Sequence, residues 1–353
     1  MKTFFKNASL FVMALFVVAC TDNDDNGGGG GETVGAGDGC YYVLNSGDWK
    51  SNNSSLTKYD PSTGEVWQNY FEQQNGRCLG NTANDVVVYG SKMYIAVAGE
   101  GTIEVADLDA KSIKQINCNA QPRYIATYDG KVYVTLYDGF VARIDTLSLE
   151  IESKVAVGRN PEQLAVFGGC LYVANSGGMD YNTALGYDKT VSVINLSTFT
   201  EEHKLDVVVN PSVVVAADNG VFVASYGNYA DIPSTLQYIN SNNEVSVVEG
   251  CRSMTEFCYL SGELFGYFSQ YDEYWNPVYT FPKYDISSGE LFSPWIMEAV
   301  LPVPYKICAA AGYVCVTSSD YMNDGDVYLY DIDGMLVSKI PAGLNPVKVV
   351  SVK

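Results

Sequence analysis

Five stretches of the chain combine aromatic rings with amides and hydroxyls: NSGDWKSNNSS from residue 45, NSGGMDYNTALGYDKT from 175, YGNYADIPST from 226, SQYDEYWNPVYT from 269 and SSDYMNDGD from 318. They hold Trp49, Tyr181, Tyr187, Tyr226, Tyr229, Tyr271, Tyr274, Trp275 and Tyr321. Rings of this kind supply contact area with little entropy lost on binding, and neighbouring amides orient a ligand by hydrogen bonds. The chemistry on offer is recognition. Catalysis has less to work with. His203 is the single histidine, so a His-based triad or acid–base pair has no members to draw on. Neither HExxH nor GxSxG occurs. Asp320, Asp324 and Asp326 share residue types with a calcium loop but lack its spacing and its terminal Glu. The expectation is a binding protein rather than an enzyme, without a resident cofactor, with calcium as the minor alternative.

Recognition loops need a scaffold, and the sequence shows one. Seven short β-type runs close on Asp or Asn: LTKYD, IEVAD, VARID, VSVIN, LQYIN, FPKYD and VYLYD, ending at Asp60, Asp107, Asp145, Asn195, Asn240, Asp285 and Asp331. Seven more apolar runs precede long loops: YYVLN from 41, MYIAV from 93, VYVTL from 132, LYVAN from 171, VFVAS from 221, LFGYF from 264 and VCVTS from 314. Their spacing ranges from 39 to 52 residues, which fits a four-stranded blade with loops of varied length. The predicted fold is all-β, a seven-bladed β-propeller over residues 40–353. YYVLN lacks a preceding strand, and the C-terminal NPVKVVSV lacks following ones. The two fragments complete one blade and close the ring, which removes exposed edges.

Naming the strands of each blade a to d from the axis outward, topology then sorts the loops. In an antiparallel meander the a–b and c–d turns share one end of the ring, and the b–c loops and d–a connections share the other. All five aromatic stretches are b–c loops, so they share a face. The d–a connections reach the same face near the axis, with Arg77, Asn81, Asn84, Gln121, Arg123, Arg159, Asn160, Asn210, Arg252 and Tyr305. Asn-Pro at 160, 210 and 345 reads equally as turn chemistry starting a strand. Trp49, Arg77, Arg123, Tyr137, Tyr181, Tyr187, Tyr229, Trp275 and Tyr321 are the predicted contact residues, the rings for stacking and the arginines for hydrogen bonds to acceptor groups.

Residues 1–19 read as a secretory leader, with Lys2 and Lys6 before an apolar run. Val17-Val18-Ala19-Cys20 has the form of a lipobox, so Cys20 is the expected acylation site; an ordinary leader with a chance cysteine is the alternative. Residues 20–39 are acidic and glycine-rich, a flexible tether. The formal charge is −20, with 41 acidic against 21 basic residues, which opposes nucleic-acid binding. Of the nine cysteines, Cys170, Cys258, Cys308 and Cys315 fall in apolar runs and read as buried thiols; no zinc-type spacing occurs. A disulfide among Cys40, Cys78, Cys118 and Cys251 is left open.

The lipobox, acidic tether and seven blades, with NSGDWKSNNSSLTKYDPSTGEV from 45, NTANDVVVYGSKMYIAV from 81, QPRYIATYDGKVYVTLYDG from 121 and NPEQLAVFGGCLYVANSGG from 160, resemble the YncE-like surface-layer propellers of Bacteroidetes. The likeness is to cobalamin-capturing lipoproteins of the BtuG type. It implies an outer-membrane, surface-exposed location through the acidic residues after Cys20. It implies a corrinoid ligand on the loop face, and transfer of that ligand to a TonB-dependent transporter as partner. Within that resemblance the arginines would bond amide carbonyls or the nucleotide phosphate. A glycan- or host-surface adhesin is the competing reading.

Overall fold

The computed structural model describes residues 39–251, 254–296, 301 and 303–353. The leader, Cys20, all of the tether except Gly39, and Arg252 lie outside the described residues. Seven antiparallel sheets form the ring, one per predicted blade. One sheet is built from both chain ends: Pro346–Val352 pairs with Cys40–Asn45, followed by Ser55–Asp60 and Glu65–Trp67. The register runs from Cys40 opposite Val352 to Asn45 opposite Pro346, which closes the ring as expected. The innermost strands of the other six blades are Ala83–Tyr89, Pro122–Tyr128, Pro161–Phe167, Pro211–Ala217, Glu256–Leu260 and Pro304–Ala310.

The core sits between blades. Seven apolar clusters fill seven interfaces, one each. Tyr42, Leu44, Met93 and Ile95 join the closing blade to the next; Tyr94, Val105, Val132 and Ile144 join the following pair. This explains why the second strands are apolar throughout: each is buried on both faces. The outer strands alternate instead, as in Glu150–Ala156, where one side meets solvent. His203 lies exposed on such a strand. The eight described cysteines are free thiols; Cys258, Cys308 and Cys315 are buried and Cys170 half-buried.

The closing Asp or Asn of each repeat has one physical role. Its side-chain oxygen accepts the backbone N–H two residues on, at Asp60, Asp107, Asp145, Asn195, Asn240, Asp285 and Asp331. These are Asx turns that reverse the chain between strands c and d. Hydrogen bonds from Ser62 hold Asp60 below the usual carboxylate range, Lys131 does so for Asp145, and Ser287 for Asp285. A carboxylate depressed in the folded state stabilises fully above its unfolded pKa, about 3.9, and that contribution fades as pH falls through the folded value. Thermal unfolding temperature is therefore expected to drop below about pH 4. Asn195 and Asn240 show that an amide serves the same turn, so Asp285→Asn should fold normally and remove the Asp285 share of that acid limb. An unchanged acid limb would count against Asp285 as one of its sources.

A second recurring device pins the loop-side ends of the blades. The buried amide of Asn175 donates to Thr190 and Ser192 and accepts from Gly158 N–H. Asn45 repeats this with Ser55, Thr57 and Gly343 N–H. A Cβ on Gly158 would sit 2.4 Å from the Asn175 side chain, which its own bonds hold in place. Gly158→Ala is expected to destabilise by about 1–3 kcal/mol, the range for overpacking, measurable by chemical denaturation.

Two features were not foreseen from sequence. A short helix, Tyr70–Asn75, fills the long connection after the closing blade. In the sixth blade the b–c excursion is itself a hairpin, in which Glu263–Tyr271 pairs with Pro277–Thr280 beyond the blade proper.

Candidate ligand-binding face

The b–c loops and d–a connections do share one end of the ring, and they are stitched together there. The first residue after a second strand donates its N–H to the residue before the same blade's innermost strand: Ser46 to Asn345, Ser176 to Asn160, Tyr226 to Asn210 and Tyr137 to Gln121. Asn160, Asn210 and Asn345 have φ of 46°, 61° and 55°. Asn tolerates this left-handed backbone, so the Asn-Pro pairs are turn chemistry that clamps loop to connection.

On this frame the aromatic residues stand out to solvent. Trp275 is 80% exposed and Tyr229 74%, with Trp49, Tyr181, Tyr271, Tyr274 and Tyr321 also exposed. Elsewhere among the described residues only Phe140 and Phe292 are exposed aromatics. The rings form groups. Tyr181 stacks on Tyr187 at 6.4 Å, and Tyr187 meets Tyr229 edge-on at 6.3 Å, a strip across the fourth and fifth blades. Tyr271 and Trp275 lie 6.1 Å apart at the tip of the sixth-blade hairpin. Tyr321 packs edge-on against Tyr305 at 5.3 Å. Trp49 stands apart, with Lys50 over its ring at 5.8 Å. Tyr229, Trp275 and Tyr321 all have positive φ, 58°, 64° and 64°. Bulky residues adopt this conformation at a cost, and such outliers gather at functional sites.

The arginines are differently placed. Arg77 does not join the loop-face group. Its guanidinium bonds both oxygens of Glu104 at 2.9 Å and lies over the Phe71 ring. Glu104 is fully buried on the third strand of the second blade. Arg159 holds the 176–189 loop through Asp180, Asp188 and the Gly186 carbonyl. Arg123 does meet Tyr137, 4.9 Å from its ring, but its charge is taken by Glu162 at 2.9 Å. Burial would lower Arg123; Glu162 outweighs that and keeps it charged.

The throat between the loops is polar and internally neutral. Three inter-blade ion pairs ring it: Arg123–Glu162, Lys306–Glu256 at 2.6 Å and Lys348–Asp85 at 3.4 Å. The Tyr124 phenol lies within electrostatic reach of all three pairs, its own pKa raised first by burial. Glu256 and Lys306 were not singled out from sequence. The signal was present as charged side chains early in innermost strands, in PEQ, PYK and PVK, where apolar residues prevail. Each of these throat cations is therefore paired with a carboxylate, while Lys50 on the loop face lies over Trp49.

A cavity runs from the throat towards the other end of the axis. It has a volume of about 1270 Å³ and is lined by Asp85, Tyr124, Gln163, Lys348 and the turns at 90–92 and 128–130. Tyr89, Tyr124, Tyr128, Phe257 and Tyr259 are part of its lining, whereas the solvent-exposed rings gather on the loop face. The loop face, where the exposed rings gather, is the candidate surface. Asp320 is satisfied by Met322, Asn323 and its amide, and Asp326 by Lys339. Among the described residues no group of three metal-ligating side chains converges.

No curated protein matches the chain. Among solved structures, hydrazine synthase of Kuenenia stuttgartiensis aligns at TM-score 0.59 and 14% identity, over 73% of this chain and 85% of that one. The computationally designed Ika8 protein aligns at 0.58 and 13%, over 88% and 93%. BamB from Moraxella catarrhalis aligns at 0.52 and 13%, over 88% and 84%. At such identities the likeness bears on the fold alone, and it agrees with a propeller. Residues 38–245 match a family of sequences, a span from the first described strand into the outermost strand of the fifth blade. The chain therefore belongs to the family described as a domain of unknown function, DUF5074.

Proposed function

We propose that this protein is a non-enzymatic capture protein that binds cobalamin or a related corrinoid on the loop face and passes it to a TonB-dependent outer-membrane transporter. The observation that carries the reading is the gathering of exposed aromatic rings into the b–c loops, three of them on strained backbone. A throat whose charges cancel suits a ligand that is neutral overall and fringed with amides. With His203 on an outer strand, the loop face has no imidazole to offer cobalt, so recognition is of the outer shell of the vitamin. Acylation at Cys20 would anchor the chain in the outer membrane, facing outward. Cys40 begins its strand at the a–b turn end of the ring, opposite the loops, so an anchor on that side leaves the loop face free.

The test is direct. Purified protein lacking the leader is mixed with cyanocobalamin and passed over a sizing column, with visible absorbance read under the protein peak. Near-stoichiometric pink protein is the expected result. Colourless protein overturns the reading and makes a glycan screen the next step.

A further inference from the structure

Two ion pairs flank Tyr124 in the upper throat. In Arg123–Glu162 both Nε and Nη2 of the arginine go to Oε2 of the glutamate, and the guanidinium lies 4.9 Å from the Tyr137 ring. In Lys306–Glu256 the ammonium and the Tyr226 hydroxyl both go to Oε1, at 2.6 and 2.8 Å. Among the described residues Oε2 of Glu256 receives no hydrogen bond. Lys306 has three N–H donors and spends one of them there. The side chains are 25% and 12% exposed, so both remain open to the lumen. Tyr226 begins a b–c loop, and Tyr305, next to Lys306, packs on the exposed Tyr321. The pair is thus the floor of the loop face, next to Tyr124, Phe257 and Ile307, which line the cavity.

An unused cationic donor beside an unused anionic acceptor selects its partner. A carboxylate is repelled by Glu256, and an ammonium by Lys306. A hydroxyl can accept from Lys306 and donate to Glu256, but only through a single oxygen, whereas an amide spans the two groups with two atoms. A primary carboxamide presents a carbonyl acceptor and an N–H donor side by side in one plane, and leaves neither buried group unpaired. We propose that Lys306 and Glu256 form a carboxamide-reading pair, with the amide oxygen on Lys306 Nζ and the amide N–H on Glu256 Oε2. This rests on the reading of the loop face as the ligand face, and it names the group that is read there.

The experiment uses protein carrying ¹³Cε-lysine, with the Lys306 signal identified by its loss in Lys306→Met. Succinamide, succinate and sorbitol are titrated in turn, then cyanocobalamin. The Lys306 signal is expected to move with succinamide and with cyanocobalamin, and to stay with succinate and sorbitol. Lys306→Met and Glu256→Gln are expected to weaken cyanocobalamin capture at least tenfold, with circular dichroism confirming the fold. A shift with succinamide but no cyanocobalamin binding overturns the corrinoid reading and keeps the pair. Cyanocobalamin binding with a motionless Lys306 signal overturns the pair and keeps the corrinoid reading. A response to sorbitol or succinate instead of the amide overturns the pair whether or not the variants fold.

Discussion

Replacing Trp275 or Tyr229 with glycine is expected to weaken ligand capture and strengthen the fold at once. Both rings are exposed, so their removal loses little packing. Both sit at positive φ, 64° and 58°, which costs a residue with a Cβ about 1–2 kcal/mol. Glycine avoids that cost but loses about 0.5–1 kcal/mol of chain entropy, for a net gain of roughly 0.5–1 kcal/mol. If the rings are anchors of the recognition surface, each loss weakens capture by about 2–4 kcal/mol, a factor of about 30 or more. Alanine at the same positions removes the ring but keeps the strain, so it should lose capture without gaining stability. The measurements are a binding isotherm and a denaturant midpoint for each variant. Retained affinity in both glycine variants would take the two rings out of the site. A lowered midpoint would show that the positive φ is not a source of strain.

Arg77→Ala is expected to do the reverse: strong destabilisation with capture unchanged. Glu104 is fully buried, and its carboxylate is matched by Arg77 and the Ser112 hydroxyl. Removing one partner of such a pair leaves a buried charge uncompensated, at about 3–5 kcal/mol; Arg77 is partly exposed, so about 3 kcal/mol is the expected loss. Pairing the change with Glu104→Gln should recover part of it, because the neutral amide costs less to bury. Unfolding by denaturant reads the stability, and the cyanocobalamin column reads the capture. A variant with normal stability and lost capture would return Arg77 to the ligand face.

The contrast between these variants shows where sequence reasoning reached. Strand periodicity and the seven closing Asx positions identified the blades, because both are local. An inter-strand turn needs its side-chain acceptor wherever the blade sits, and a strand buried on both faces needs apolar residues along its length. Ring closure followed from the same counting, with an unpaired innermost strand at one end and the rest of its blade at the other. The common face of the aromatic loops followed from meander topology alone.

What the residues along the chain did not reveal was partnership at a distance. Arg77 and Glu104 are 27 residues apart, and Lys306 and Glu256 are 50 apart. In sequence Arg77 and Arg123 look alike, each a cation near the start of an innermost strand. Only the folded chain shows that one neutralises a carboxylate buried in its blade, while the other lies over Tyr137 in the throat. The blade count was legible because it repeats a local pattern. The charge state of the throat was not, because it depends on which side chains the closed ring brings together across neighbouring blades.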